Sequence, residues 1–348
     1  MTLFSFIFTL CKKNVIPAVL FAVAGSTVLI SYRLLKPATF NNAKPEYIYI
    51  YPHTTPNDIT KRVEANASGS LFLYKRLYRY FKLDKNIPVG VYLIEPDKNV
   101  IDLLHDLRRR RQTPVKFTFN NTRTLVDVVS RADTQLLLSG DSLLAALQNP
   151  ETPAQYGFTE ETFPAMFIPN TYEVYWNIGV NSFLVRMKRE YGLFWNQQRT
   201  EKAKKIGLSP LEVSILASIV EEESSMCDEY PVIAGLYLNR LRKNMLLQAD
   251  PTVKFTVGDF TLQRILNKHL ATDSPYNTYR YIGLPPGPIR IPSPQAIDGV
   301  LNAAQHNYLY MCAKEDFSGQ HNFSVTLREH TQNAARYHQA LNRLNIRK

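Results

Sequence analysis

SPLEVSILASIVEEES, Ser209 to Ser224, opens as a helix and closes on three consecutive glutamates. Ser209 suits the N-cap, Pro210 the first helical position, and Glu212 stands three residues after the cap, where a capping box needs it. At about 100° per residue, Leu211, Ile215, Leu216 and Ile219 share one apolar arc. Glu223 falls in the middle of that arc and Glu222 on its edge. Glu221 turns toward the small and polar side with Ser214 and Ala217. A carboxyl set in an apolar stripe loses solvation, which raises its pKa, and a general acid working near neutral pH needs that shift. An ordinary solvated helix end is the competing reading, and the rest of the chain has to decide between them.

Outward from this helix, 348 residues give room for about two domains. The 45% hydrophobic content excludes a mainly disordered chain. Forty-one Lys and Arg against 30 Asp and Glu leave a net charge of +11, which suits an anionic partner: nucleic acid, a phospholipid surface or an acidic wall polymer. From Ile16 to Tyr32 the chain carries no charge, with Lys12 and Lys13 before it and Arg33 and Lys36 after it. That length is at the short end for a spanning helix, which takes about 17–25 residues. The run ends in Tyr32-Arg33-Leu34-Leu35, a poor signal-peptidase site, so a single uncleaved anchor is expected. Basic residues on both flanks leave its orientation open. Of the three cysteines, Cys11 precedes this segment. Cys227 and Cys312 lie beyond it in no metal-ligand spacing, and their pairing cannot be read from sequence.

Between Pro45 and Gln112 the pattern predicts a β-α-α-β-α unit: strand Tyr47 to Tyr51, helices over Asn57 to Asn66 and Leu71 to Lys82, strand Gly90 to Ile94, and a helix from Val100 to Arg111. Four arginines, Arg108 to Arg111, complement the dipole at that helix end. Val115 to Phe119 reads as a strand. Phe163 to Trp176 reads as an aromatic, proline-bearing loop, either a groove wall or ordinary core. After the glutamates, Asp228 to Leu241 reads as a helix capped by Asp228, and Leu247 to Thr252 as a polar loop bearing a second carboxylate, Asp250.

No HExxH, GxSxG, GxxxxGK[ST] or GxGxxG is present, so metal hydrolysis, serine-type acyl transfer and nucleotide chemistry lose ground. The carboxylates remain. In order, SIVEEES (Ser218 to Ser224), NRL (Asn239 to Leu241), LQADPTV (Leu247 to Val253), SPYNTY (Ser274 to Tyr279), GLPPGPI (Gly283 to Ile289), YLY (Tyr308 to Tyr310) and HNFS (His321 to Ser324) closely resemble the MltG-type (YceG-like) endolytic murein transglycosylases. PNTY at Pro169 to Tyr172 resembles a preceding motif of that family, although Asn170 stands where many members carry an acidic residue. Ala249 likewise replaces a usual polar residue.

The resemblance implies an α+β fold in three parts. These are a short cytoplasmic N-terminus with a single transmembrane helix (1–36), a small LysM-like subdomain (37–114) and a mixed α/β YceG-like catalytic domain (115–348). It makes Glu223, second glutamate of an E-x-E-[TS] motif, the catalytic acid, in agreement with the helical phase. Glu221, Asn239, Gln248, Asp250, Tyr276, Asn277 and Thr278 become candidate substrate contacts. It implies no metal and no cofactor. Peptidoglycan glycan strands, the cytoplasmic membrane and peptidoglycan synthases are the expected partners, with nucleic acid excluded and the catalytic domain on the outer side of the membrane. The implied reaction cleaves the β-1,4 bond between N-acetylmuramic acid and N-acetylglucosamine. One carboxyl protonates the leaving oxygen and then serves as base on the muramyl 6-hydroxyl, leaving a 1,6-anhydro end. A conventional muramidase pairing Glu223 with Asp250, and a non-catalytic wall-binding protein, remain as alternatives.

Overall fold

A computed structural model describes residues 3–120, 122–262 and 265–343, with side chains from residue 19 onward. The chain forms two compact units: 1–115 together with 173–177, and 116–172 together with 178–348.

The first unit runs α1 (Leu3–Leu35), β1 (Thr39–Phe40), β2 (Glu46–Ile50), α2 (Pro56–Asn66), β3 (Ala67–Ser68), α3 (Phe72–Tyr80), β4 (Gly90–Ile94) and α4 (Val100–Arg109). Strands β2 and β4 pair antiparallel with Glu46 opposite Ile94 and Ile50 opposite Gly90, and β1 pairs with β3. Strand alternation sends Ile48 and Ile50 into a core shared with Ile59, Val63, Tyr74, Leu103 and Leu107, while Tyr47 and Tyr49 face out. Thr55 caps α2 through a full capping box with Asp58, and Asn99 caps α4. Helix α4 stops two residues earlier than its arginine run suggests, because Arg110 turns left-handed at φ 53°. Segment 173–177 joins this unit although the sequence places it far downstream: Trp176 packs edge-on against Tyr49 and Tyr51, and the Asn177 amide donates to Val89 O at 3.0 Å.

Among the described residues no helix is long and apolar enough to cross a membrane. The side chains of Ile16, Pro17 and Ala18, where the expected anchor starts, lie outside the described residues. The rest of α1 exposes apolar side chains, with Val19, Leu20, Phe21, Val23, Val28, Leu29 and Ile30 all more than half exposed.

Apart from Val115, Glu173 and Val174, which fall in the first unit, the second unit contains β5 (Val115–Phe119), α5 (Leu125–Gln135), α6 (Gly140–Gln148), α7 (Glu151–Gln155), β6 (Asn170–Val174), α8 (Val180–Phe194), α9 (Gln197–Ile206), α10 (Pro210–Glu223), α11 (Tyr230–Arg242), α12 (Asp250–Val257), α13 (Asn267–Leu270), α14 (Pro294–Leu301), β7 (Tyr310–Ala313), β8 (His321–Ser324) and α15 (Leu327–Arg343). Strand β5 pairs with β6, and β7 forms an antiparallel hairpin with β8. The aromatic stretch expected as a loop is a short 3-10 turn followed by β6. Phe163, Phe167 and Tyr172 are buried in it, so that part belongs to the core and not to a groove wall.

Helix α10 is the centre of this unit, packed against α14, α11 and α12. Its capping box forms as expected. Its amphipathic reading does not survive, because Val213 through Val220 are all buried. The small polar side is core as well: Ser214 Oγ donates to Pro210 O, and Ser218 Oγ donates to Ile215 O while accepting from the Ile289 N–H. Serines that satisfy themselves on backbone groups enter a core at low cost, so the helix can be enclosed on every side.

Candidate active site

Three carboxylates leave the end of α10 in two directions. Glu222 turns to Arg290 and Arg123, with Nη–Oε distances of 2.8 and 2.9 Å. Glu221 lies 3.5 Å from Arg290 Nε, and its Oε2 accepts from the Ser293 N–H at 2.8 Å. The small and polar side expected for Glu221 is enclosed: its side chain is only 8% exposed and it ties α10 to the segment leading into α14.

Glu223 turns the other way, into a pocket of about 390 Å³ lined among others by Tyr237, Arg240, Gln248, Asp250, Tyr279 and His321. The Tyr237 hydroxyl donates to Glu223 Oε1 at 2.5 Å. Burial pushes the Glu223 carboxyl up to about 7 against the lowering effect of that hydrogen bond; Asp250 adds to the rise, and Arg240 and Lys254 oppose it. With Tyr237 donating to Oε1, Oε2 is left to carry the proton. The result is a carboxylic acid that is substantially protonated near neutral pH at the wall of a pocket, which is the state a general acid needs.

Asp250 does not sit in a polar loop. It opens helix α12 with Pro251 in the first turn, and its Oδ1 accepts from the Tyr279 hydroxyl at 2.6 Å. Burial, then Asp250 itself, push the Tyr279 phenol far up, so it stays a donor. Gln248 reaches the pocket from a left-handed backbone, φ 50°, with its Oε1 3.4 Å from Arg240 Nη1. Arg240 is 7% exposed and spends Nε on Leu309 O and Nη1 on Leu246 O and Leu247 O. It braces the loop before α12 against the entry to the β7–β8 hairpin.

The remaining sequence candidates lie elsewhere. Asn239 donates to His306 O at 2.7 Å and Tyr308 O at 3.2 Å, pinning the run into β7. Gly235, one turn earlier on α11, lets that run approach: a Cβ there would lie 2.3 Å from Ala304 O. Asn277 is wholly buried and donates to Leu270 O and Thr272 O. The Thr278 hydroxyl accepts from Ala249 N–H and pairs with Thr252. Tyr276 packs on Phe255, ring centroids 4.7 Å apart, beside a different cavity that also holds Arg123 and Pro288. Asp228 does not cap α11; it lies in a 3-10 turn, and Glu229 stands at the helix start.

Sequence reasoning passed over Tyr237, Arg240, Tyr279, Tyr310, His321 and His330 as pocket residues. All but Tyr237 and His330 stand within the quoted motifs, where amides and carboxylates drew the attention. Tyr237 follows Glu223 by 14 residues, across a helix break whose geometry no spacing rule supplies. Among the described residues no group of three His, Cys, Asp or Glu is placed to hold a metal ion, and Cys227 and Cys312 are free thiols.

Comparison with known proteins bears on this geometry. A model of the YceG-like family matches residues 48–336. An endolytic murein transglycosylase of Bacillus subtilis is 39% identical over 134 residues, 38% of this chain and 36% of that protein. One from Streptococcus pneumoniae is 25% identical over 294 residues, 75% of this chain and 52% of that protein. The chain therefore spans about half or less of the length of these curated relatives. A crystal structure of a YceG-like protein from Listeria monocytogenes superposes with a TM-score of 0.55 at 25% identity, covering 84% of this chain and 99% of that one.

Proposed function

The chain belongs to the YceG-like family, and on that premise we propose that it is a membrane-anchored endolytic lytic transglycosylase of peptidoglycan. The observation that carries this is Glu223, a carboxyl raised to about 7 and fixed by Tyr237 in an open pocket. Its proton goes to the glycosidic oxygen as the bond from N-acetylmuramic acid to N-acetylglucosamine breaks. The muramyl 6-hydroxyl closes on the anomeric carbon and leaves a 1,6-anhydro end, so no water enters the bond-breaking step. The carboxylate that Glu223 becomes is chemically able to receive the hydroxyl's proton, so one carboxyl suffices for both halves.

The curated relatives named endolytic murein transglycosylase support the substrate and the reaction class. In this reading α1 anchors the protein, which its exposed apolar surface favours. The catalytic domain then acts on the outer side of the cytoplasmic membrane, close to newly made strands, trimming their length beside the synthases that make them. The β-α-α-β-α elements of the first unit serve as a LysM-like wall-binding subdomain.

A second reading rests on Asp250, a carboxylate on the same pocket: a muramidase that hydrolyses the bond with two acids. Mass spectrometry of products from purified glycan strands separates the two. Anhydro-muramyl ends are expected. Reducing muramic acid ends would make the enzyme a hydrolase, and intact strands would leave a wall-binding protein.

A further inference from the structure

His321, first residue of β8, also lines the Glu223 pocket, and its ring is held from behind. Nδ1 lies 2.8 Å from Glu229 Oε2, and the His321 backbone N–H donates to Glu229 Oε1 at 2.8 Å. Ser224, the residue after Glu223, donates to the same Oε2 at 2.9 Å. Both side chains of the pair are nearly enclosed, His321 at 14% and Glu229 at 11% exposure. Burial alone would raise the Glu229 carboxyl, but the hydrogen bonds from His321 and Ser224 hold it below its ordinary value, so it is a carboxylate. A carboxylate only accepts, so Nδ1 carries a proton, and in the neutral ring that leaves Nε2 as the acceptor. Among the described residues nothing hydrogen-bonds Nε2.

Apart from the Asp250 carboxylate, few of the other ionisable groups around the pocket offer a comparable acceptor. Tyr237, Tyr279 and Cys312 are all pushed up and stay protonated, burial being the first cause in each. Burial, then the charge of Arg240, push His330 down, so it stays neutral, and its Nδ1 is buried without a partner. Arg240 is a fixed cation. Asp250 is engaged by Tyr279. Glu315, on the turn of the hairpin, is engaged by Asn322.

We propose that His321 is a second proton-transfer residue of this pocket, receiving at Nε2 the proton of the attacking hydroxyl, with Glu229 as the positioning residue that fixes its tautomer. This rests on the murein-cleaving reading above and divides between two groups the work that one carboxyl could do alone. As the C1–O4 bond breaks, its electron pair goes to O4, which takes the proton of Glu223. A lone pair of O6 forms the O6–C1 bond, and the O6 proton passes to Nε2. After product leaves, the imidazolium returns its proton through water to the Glu223 carboxylate. The geometry parallels a carboxylate-oriented imidazole base in other enzymes, and a positioned base of this kind contributes roughly 10²–10⁴-fold.

The test is kcat and KM on purified glycan strands across pH, with product ends identified. The wild type is expected to give anhydro ends and an alkaline limb near 7 from Glu223. His321→Gln is expected to lose about 100-fold in kcat, to leave KM little changed and to keep that limb. Glu229→Gln, which leaves His321 in place, is expected to lower kcat as well, and the double variant to lose no more than His321→Gln alone, because the two residues act as one unit. His321→Gln activity near wild type, or losses that simply multiply in the double variant, overturns the proposal while anhydro ends in the wild type keep the underlying reading intact. Absence of anhydro ends in the wild type overturns the reading itself. Should His321→Gln not fold by circular dichroism, Glu229→Gln decides alone: a loss in kcat supports the proposal, and a loss confined to KM overturns it.

Discussion

The phenol of Tyr237, on α11, donates to Glu223 Oε1 at the end of α10 across 2.5 Å, joining two core helices at the pocket. That contact favours the charged carboxylate, and burial overrides it. Tyr237→Phe removes the opposing hydrogen bond while leaving the ring, so the Glu223 carboxyl rises above its present value of about 7. The alkaline limb of the rate profile should move to higher pH, together with a lower rate from a less firmly held acid. A limb moving to lower pH would show that the hydrogen bond, and not burial, governs the acid.

Glu223→Gln should abolish strand cleavage and stabilise the protein above neutrality. The native carboxyl is raised to about 7 from an ordinary 4.5, so the folded state holds a proton that the unfolded chain has already lost. Its contribution is complete below about 4.5 and is lost as pH rises through 7. A glutamine has nothing to titrate. The melting temperature of the variant should therefore gain on wild type between pH 5 and pH 8, by the equivalent of about 2 kcal/mol. Parallel melting curves across that range would mean that Glu223 is not perturbed.

Asp250→Asn separates the two carboxylate mechanisms. Its charge adds to the rise of Glu223, so its neutralisation should bring the alkaline limb to lower pH. Under the lytic reading activity falls by about tenfold, some 1.4 kcal/mol of barrier, and the ends stay anhydro. Complete loss of cleavage with normal folding would assign Asp250 to the chemistry.

Arg290 carries the other side of the glutamate triplet, contacting both Glu221 and Glu222 with only 14% of its side chain exposed. Arg290→Met strips both carboxylates of this partner in an enclosed place, which costs about 3–5 kcal/mol when such a pair is broken. Urea denaturation should report that loss. Since neither carboxylate lines the pocket, the folded variant should retain the pH dependence of the parent. A variant as stable as wild type would reduce this network to a surface ion pair.

How much was legible in the sequence varies with the distance over which each feature is decided. Capping is local, and the Ser209–Glu212 box forms as its residues indicate. Strand Gly90 to Ile94 follows in the same way from its β-branched and aromatic content, and helix Pro56–Asn66 from its capping residues. The phase of α10 placed Glu223 apart from its neighbours, but it misjudged Glu221, because periodicity reads a serine as polar surface while the fold satisfies Ser214 and Ser218 inside the core. Asn277 and Thr278 illustrate the same limit. Amides and hydroxyls suited to sugar are equally suited to backbone groups, and here they are spent on Leu270, Thr272 and Ala249. The pocket itself draws side chains from α10, α11, α12, the hairpin and α15, and no spacing within one segment contains that convergence.

Helix α10, enclosed from Val213 to Val220, has a consequence for how this protein fails. Amides in such a helix exchange with solvent only when the whole unit opens. The acid stands on the last turn of that helix and is tied to α11 through Tyr237. Loss of the raised carboxyl and loss of the fold should therefore be one event, so inactivation by heat would track global unfolding.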